Sequence, residues 1–178
     1  MAKKYSELKN KRLHLGCGTD IKEGFINLDS VKIPGVDIVH DLSKFPWPFK
    51  DNSFNYVLSI SSLEHLDNLV NVIEEIHRIC KNGAIIEIIV PHFESLGAFR
   101  DPTHKTFFSY YSFDYFAENF NYNFYSKARF KIIKREIRYG KYFFFFEWIA
   151  NLFPNLHEIF LRKFLPVNNL FFRLKVIK

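Results

Sequence analysis

The pattern of apolar and polar positions divides this chain near residue 90. Before that point, short β-branched and aromatic runs recur at Arg12–Leu15, Phe25–Asp29, Val36–His40, Phe54–Ile60 and Ala84–Val90, separated by turn-forming residues. The last run is nearly continuous in Ile and Val, as in a parallel strand buried on both faces. Between the fourth and fifth runs, Leu69, Val70, Val72, Ile73, Ile76, Ile79 and Cys80 follow a helical period, with Asn82-Gly83 behind them as a stop signal. Strand, helix and strand in that order form a βαβ unit, which predicts the α/β class. Lys44–Ser53 holds two prolines and a turn cluster and reads as a loop.

Beyond Pro91 the pattern is irregular through Lys105, and a helix is expected at Ser112–Asn119. Arg129–Arg138 reads as a strand with Phe130, Ile132 and Ile133 among basic residues. Tyr142–Leu165 reads as helical but broken at Pro154, and Asn169–Ile177 as a last strand. Two strands joined by such a helical excursion form an antiparallel pair closing one edge of an otherwise parallel sheet. No internal repeat or low-complexity linker interrupts the chain.

Composition sharpens the division. The chain has 178 residues, within the roughly 100–200 expected of one domain. Of its 22 Phe, 18 lie in residues 91–178. Residues 1–90 carry 11 Lys/Arg against 12 Asp/Glu, and residues 91–178 carry 14 against 7, so the basic excess belongs to the aromatic half. Such a face attracts phosphate-bearing molecules, nucleic acid or an anionic membrane surface, or is simply well solvated. Cys17 and Cys80 stand in neither a CxxC nor a Cys/His array, which argues against a disulfide framework or zinc site and for a reducing cytoplasm. Met1 to Arg12 lacks the apolar core of a secretory signal. The greasiest stretch, Tyr142–Phe153, contains Glu147 and falls short of the ~20 residues that span a bilayer. A membrane contact, if made, is peripheral.

Candidate chemistry clusters where strands end. Leu13-His14-Leu15-Gly16-Cys17-Gly18 puts two glycines directly after the first strand, where backbone must turn sharply and approach a ligand closely. Asp29 ends the second strand, where a carboxylate can accept both hydroxyls of a ribose, and Asp41 follows the third. Carboxyl ends of successive strands line the crevice in which open α/β sheets bind ligands.

These residues, with LHLGCG, GFINLD, HDLSKFPWPFKDNSFNYVLS, LEHL, RICKNGA and DPTHKTFFS in that order, resemble the class I S-adenosylmethionine-dependent methyltransferases, in particular small domains of the type 11-like group. The resemblance covers nearly the whole chain. It implies a Rossmann-like, mostly parallel twisted sheet with an antiparallel C-terminal strand and helices on both faces, in one domain over residues 1–178. Residues 1–90 would be its donor-binding half and 91–178 its acceptor side, with an aromatic helical insertion at about 142–165. It implies S-adenosylmethionine as cofactor, with Gly16, Cys17 and Gly18 at the methionine part, Asp29 at the ribose, and Asp41 and Leu42 by the adenine. Ser59, Ile60 and Ser61 would floor the sulfonium. Two departures stand out: His14 occupies a place where the family carries an acid, and Gly18 to Asp29 spans only eleven positions. The first helix is therefore expected to be very short or missing.

On the acceptor side, methyl transfer requires alignment of nucleophile, methyl and sulfur, and a base where the acceptor loses a proton. Glu64, His92, Asp101 and His104 follow the fourth and fifth strands and are the catalytic candidates, with His104 preferred as base or acceptor-orienting residue. The alternative for the Asp101–His104 segment is a capped loop. His65 reads equally as a packed histidine. No metal site is assigned, since His92, Asp101 and His104 have no fixed spacing. The expected reaction is methylation of a hydroxyl, amine or carboxyl on a small or carbohydrate-like acceptor. The rivals are an RNA-directed methyltransferase, suggested by the basic aromatic half, and a donor-binding subunit without turnover. The aromatic segment around Phe143–Phe146 invites a membrane-contact or lid reading, and reads as core or as the surface of a homodimer in preference to a membrane insert.

Overall fold

A computed structural model describes residues 12–178 apart from 122, 142 and 166. The expectations for the N-terminal segment and for Tyr142 lie outside the described residues. Seven strands form one sheet: β1 (Arg12–Leu15), β2 (Ile26–Asp29), β3 (Ile38–Val39), β4 (Phe54–Ile60), β5 (Cys80–Pro91), β6 (Arg129–Tyr139) and β7 (Val167–Ile177). Their order is β3-β2-β1-β4-β5-β7-β6. The first five run parallel, and β7 pairs antiparallel with both β5 and β6. β1 and β2 are buried over nearly their whole length, whereas β5 alternates buried with half-buried positions rather than being buried on both faces; Leu13, Leu15, Leu28, Val57, Ile88, Val90 and Leu170 have no exposed surface.

The order reverses direction beside β1, where the chain steps to β2 on one side and β4 on the other. Strand ends diverge at such a point and leave a crevice outside their carboxyl ends. The β1–β2 connection, residues 16–25, contains no helix, as its shortness requires. The buried Asn27 organises it instead: its Oδ1 accepts from the Lys22 amide, its Nδ2 donates to the Lys22 carbonyl, and its own amide donates to Asp37 Oδ2. β2 reaches β3 by turns as well, so of the expected crossover helices only α1 (Leu69–Ile79) is a full one.

Helix α1 starts at Asn68, whose side chain accepts from the Asn71 amide at 3.1 Å, and buries Val72, Ile73, Ile76 and Ile79. Its end differs from the expected stop at Asn82-Gly83. The Cys80 amide closes the helix on the Ile76 carbonyl, and Cys80 is already extended and paired with Phe54 in the sheet. Gly83, at φ +78°, lies inside β5 near a register shift opposite Phe54 and Tyr56. The glycine therefore serves a strand irregularity rather than a helix cap.

After β5 come a short helix, α2 (Leu96–Arg100), and a 3-10 turn over Ser112–Phe116 where a helix to Asn119 was expected. The Ala117 amide bonds the Asp114 carbonyl and Ala117 then bridges to Phe130, so the chain turns extended before a second helical turn forms. Between β6 and β7 lie a 3-10 turn at Phe144–Phe146, α3 (Glu147–Leu152) and α4 (Pro154–Ile159), with Pro154 at the start of α4. A break at Pro154 is what its missing N–H dictates. Among the described residues, no helix is long and apolar enough to cross a membrane.

Candidate functional site

One cavity opens at the carboxyl ends of β1, β2 and β4. It measures about 330 Å³, and Gly16, Gly18, Asp29, Asp41, Leu42 and Ser61 all line it. Gly16 has φ +58°, and a Cβ there would stand 2.1 Å from Ser62 Oγ, so only glycine lets the turn after β1 lie against the turn after β4. Gly18 has φ +49°, and a Cβ there would project into space with no atom within 4 Å. That space is the cradle a ligand needs. Asp29 binds the loop directly: its Oδ2 accepts from the Gly18 amide at 2.7 Å and its Oδ1 from the Val31 amide at 3.0 Å. Each carboxylate oxygen retains acceptor capacity for a hydroxyl.

His14 does not replace the acid that the family carries at its position. It is buried, both ring nitrogens lack partners, and burial holds its pKa below the usual imidazole value. The loop is ordered by Asp29 instead. Three expected cofactor residues stand elsewhere. Cys17 is buried in the core, with its thiol pushed up to about 11 by burial and by the Asp29 charge. Ser59 is fully buried, and neither it nor Ile60 lines the cavity. Cys17 lies between the two lining glycines, and Ile60 precedes the lining Ser61. Ser62, His65 and Leu66 take part instead.

A second cavity, of about 650 Å³, adjoins the first and shares Ser61 and His65 with it. Glu64, Arg100, Asp101, His104 and Asn169 line it. The Asp101–His104 loop is fastened to the turn after β4: the Lys105 and Thr106 amides donate to the Glu64 carbonyl at 2.8 and 3.0 Å, and Thr106 Oγ1 donates to the Leu66 carbonyl. Asp101 Oδ1 accepts from both the amide and the hydroxyl of Thr103, which hold its carboxyl below the usual range. Asp101 thus shapes the loop as well as lining the cavity.

Hydrogen bonding fixes the tautomers of two histidines. His104 Nδ1 lies 2.9 Å from the Ala98 carbonyl, which can only accept, so Nδ1 carries the proton and Nε2 bears the free lone pair. Thr103 Oγ1 spends its proton on Asp101 and therefore accepts from His65 Nδ1 at 2.8 Å, which likewise leaves His65 Nε2 as the lone-pair atom. The two rings meet edge to face at 4.7 Å. Beside them Glu64 is only 1% exposed, its Oε2 has no hydrogen-bond partner, and burial pushes its pKa up to about 7. One donor atom from each of Glu64, His65 and His104 lies within 4.8 Å of the other two.

His92 is not part of this group. It is fully buried, Nδ1 accepts from the Glu94 amide, and Nε2 donates to Glu158 Oε1 on α4 at 3.2 Å. Both of its nitrogens are committed to anchoring the excursion, so the expected catalytic position for His92 gives way to a structural one. His65 has the opposite history: adjacency to Glu64 in a turn after a strand was its only sequence signal, and Thr103, 38 positions away, orients it.

Comparison with known proteins gives a consistent picture. Residues 4–88 match a family described as Methyltransferase domain. No curated protein sequence matches the chain. Among solved structures it is similar to an S-adenosylmethionine-dependent methyltransferase from Archaeoglobus fulgidus, with 18% identity, 97% of this chain and 88% of that chain covered, and a TM-score of 0.61. It is similar also to the [4+2]-cyclase SpnF, with 14% identity, coverage of 99% and 80%, and a TM-score of 0.59. A third is phosphoethanolamine N-methyltransferase 2 of Haemonchus contortus, solved with phosphomonomethylethanolamine and S-adenosylhomocysteine (15% identity, coverage of 93% and 48%, TM-score 0.53). At these identities the likeness is one of fold.

Proposed function

We propose that this chain is a class I S-adenosylmethionine-dependent methyltransferase, a reading supported by the match of residues 4–88 to a methyltransferase domain family, and that it methylates a hydroxyl, amine or carboxyl of a small or carbohydrate-like acceptor. The observation that carries the reading is the pair of adjoining cavities. One is lined by the glycines and carboxylates after β1, β2 and β3, and the other by Glu64, Arg100 and His104, with Ser61 and His65 between them.

Bound S-adenosylmethionine supplies a methyl group on a positively charged sulfur. Gly16 and Gly18 receive its methionine part, Asp29 accepts from the ribose hydroxyls, Asp41 and Leu42 flank the adenine, and Ser61 lies under the sulfonium. The protein's remaining task is to hold the acceptor atom in line with the methyl carbon and sulfur, so that one bond forms as the other breaks. His104 orients the acceptor or takes its proton, using the Nε2 lone pair that the Ala98 carbonyl leaves free. Arg100 on the same cavity wall favours an acceptor that carries negative charge. A cavity of about 650 Å³ has the size of a small-molecule site.

Calorimetry with S-adenosylmethionine and S-adenosylhomocysteine tests the donor half, and both are expected to bind. Failure of both up to millimolar concentration would remove the reading. Transfer of labelled methyl groups into fractionated small-molecule and glycan pools tests the acceptor half. Donor binding without any transfer would favour a subunit that lacks turnover.

A further inference from the structure

We propose that Glu64, His65 and His104 form a divalent-metal site at the mouth of the acceptor cavity, taking a cation such as Zn²⁺, Co²⁺ or Mn²⁺. The inference rests on the methyltransferase reading and deepens it, because it assigns His104 the orienting role and makes an oxygen of the acceptor the natural further ligand.

Three independent features converge on one point. The donor atoms of the three side chains lie within 4.8 Å of one another. Bonds of about 2.0–2.2 Å to nitrogen and oxygen place two donors of one ion roughly 3–4 Å apart, so the group needs to contract by only about 1 Å. Second, the partners of both Nδ1 atoms place the proton there and leave Nε2 as the lone-pair atom of each neutral ring. Metal-bound histidines characteristically donate the other ring N–H to a carbonyl or carboxylate. Here His104 donates to the Ala98 carbonyl, and His65 donates to Thr103, which in turn donates to Asp101. Third, Glu64 Oε2 is buried and unpartnered, and a buried carboxylate oxygen without a partner carries a desolvation cost that a cation removes.

The donor set defines the ligand class. Two neutral imidazoles and one carboxylate suit a first-row divalent ion and leave coordination positions open. Those positions face a cavity whose wall includes Arg100 and Asn169, a setting suited to a hydroxyl or carboxylate oxygen on the acceptor. Of the three ligands only His65 also lines the donor cavity, so variants at Glu64 and His104 separate metal affinity from donor affinity.

Chelator-treated full-length protein titrated with Co²⁺, followed by its visible absorption and by calorimetry, tests the site. One equivalent per chain is expected. Glu64→Gln and His104→Ala are each expected to abolish it. Thr103→Val, which leaves all three ligands in place, is expected to weaken it about 10–100-fold, the usual effect of removing a group that orients a ligand. S-adenosylhomocysteine binding and melting temperature measured on the same samples report folding, and retained nucleoside binding by the metal-free protein keeps the methyltransferase reading intact whichever way the metal result falls. Absence of stoichiometric Co²⁺ binding by folded wild-type protein overturns the proposal. So does Co²⁺ affinity that is unchanged in folded Glu64→Gln or in Thr103→Val.

Discussion

Individual residues near the carboxyl ends of the strands carry two separate demands, ligand contact and loop order. Asp29 answers the second by holding the Gly18 and Val31 amides, and it also lines the cavity. Asp29→Ala is expected to weaken S-adenosylhomocysteine binding by about 1.5–3 kcal/mol, the range for a hydrogen bond to a charged group, and calorimetry measures it. An unchanged affinity would move the ribose elsewhere. Gly16 is a different case because its constraint is steric. Gly16→Ala would set a Cβ 2.1 Å from Ser62 Oγ at φ +58°, and left-handed backbone alone costs a non-glycine residue roughly 1–2 kcal/mol. A loss of at least about 2 kcal/mol is expected in denaturant titration. Because the obstructing atoms are the Ser62 side chain, Gly16→Ala with Ser62→Gly is expected to recover part of that loss. No recovery would mean that backbone conformation is the whole cost.

At the scale of elements, the antiparallel β7 joins the parallel part of the sheet to β6, and the α3–α4 excursion hangs between the two. One tie holding α4 is Glu158, buried between His92 and His157. Burial alone would raise its pKa, but the two imidazoles outweigh burial and depress it from 4.5 to about 2. A depressed folded-state carboxylate contributes stability above its unfolded pKa and loses it as pH falls through the folded value. The contribution is therefore complete above about pH 5 and disappears between there and pH 2, with an upper bound of about 3 kcal/mol from the size of the shift. Glu158→Gln is expected to lower the melting temperature at pH 7, with that difference shrinking below about pH 5 and gone only near pH 2. A difference that is constant with pH would assign the effect to packing. The same tie explains why His92, which follows β5 as a catalytic residue would, has no part in the acceptor cavity: α4 claims its Nε2.

Across the whole molecule the charge asymmetry remains to be placed. Residues 91–178 carry 14 Lys/Arg against 7 Asp/Glu, yet many of these cations already have partners: Arg135 pairs with Asp114, Arg138 with Glu136, Arg162 with Glu94 and Arg173 with Glu87. Pairing reduces the field available to a polyanion. An RNA acceptor would make several phosphate contacts and its affinity would fall steeply with salt. Filter binding with mixed RNA is expected to show only weak association at low salt. A nanomolar complex lost at moderate salt would make RNA the leading acceptor. The aromatic residues of the excursion are the other large-scale feature: Phe145, Trp148, Leu152, Phe153, Ile159 and Phe164 are all exposed, so the expectation that this segment is core does not hold for its outer side.

The sequence by itself determined the strands, α1, the helix-free first crossover and the glycine and carboxylate positions of the donor cavity. Those features are local: hydrophobic period sets the elements, so short a connection between β1 and β2 leaves no room for a helix and its turns, and Gly16 and Gly18 permit a backbone that other residues resist. Even there, locality had limits, since Asn82-Gly83 looked like a helix stop until strand pairing of Cys80 with Phe54 claimed the segment. What only the tertiary structure decided was the chemistry of the acceptor rim. Glu64 becomes a buried carboxylate, and His65 and His104 acquire fixed tautomers, because the Asp101–Thr106 loop folds back on the turn after β4. His92 leaves the site because Glu158, 66 positions later, reaches it. A side chain's burial, proton position and partner depend on contacts between segments far apart in the chain, and local sequence patterns carry no record of them.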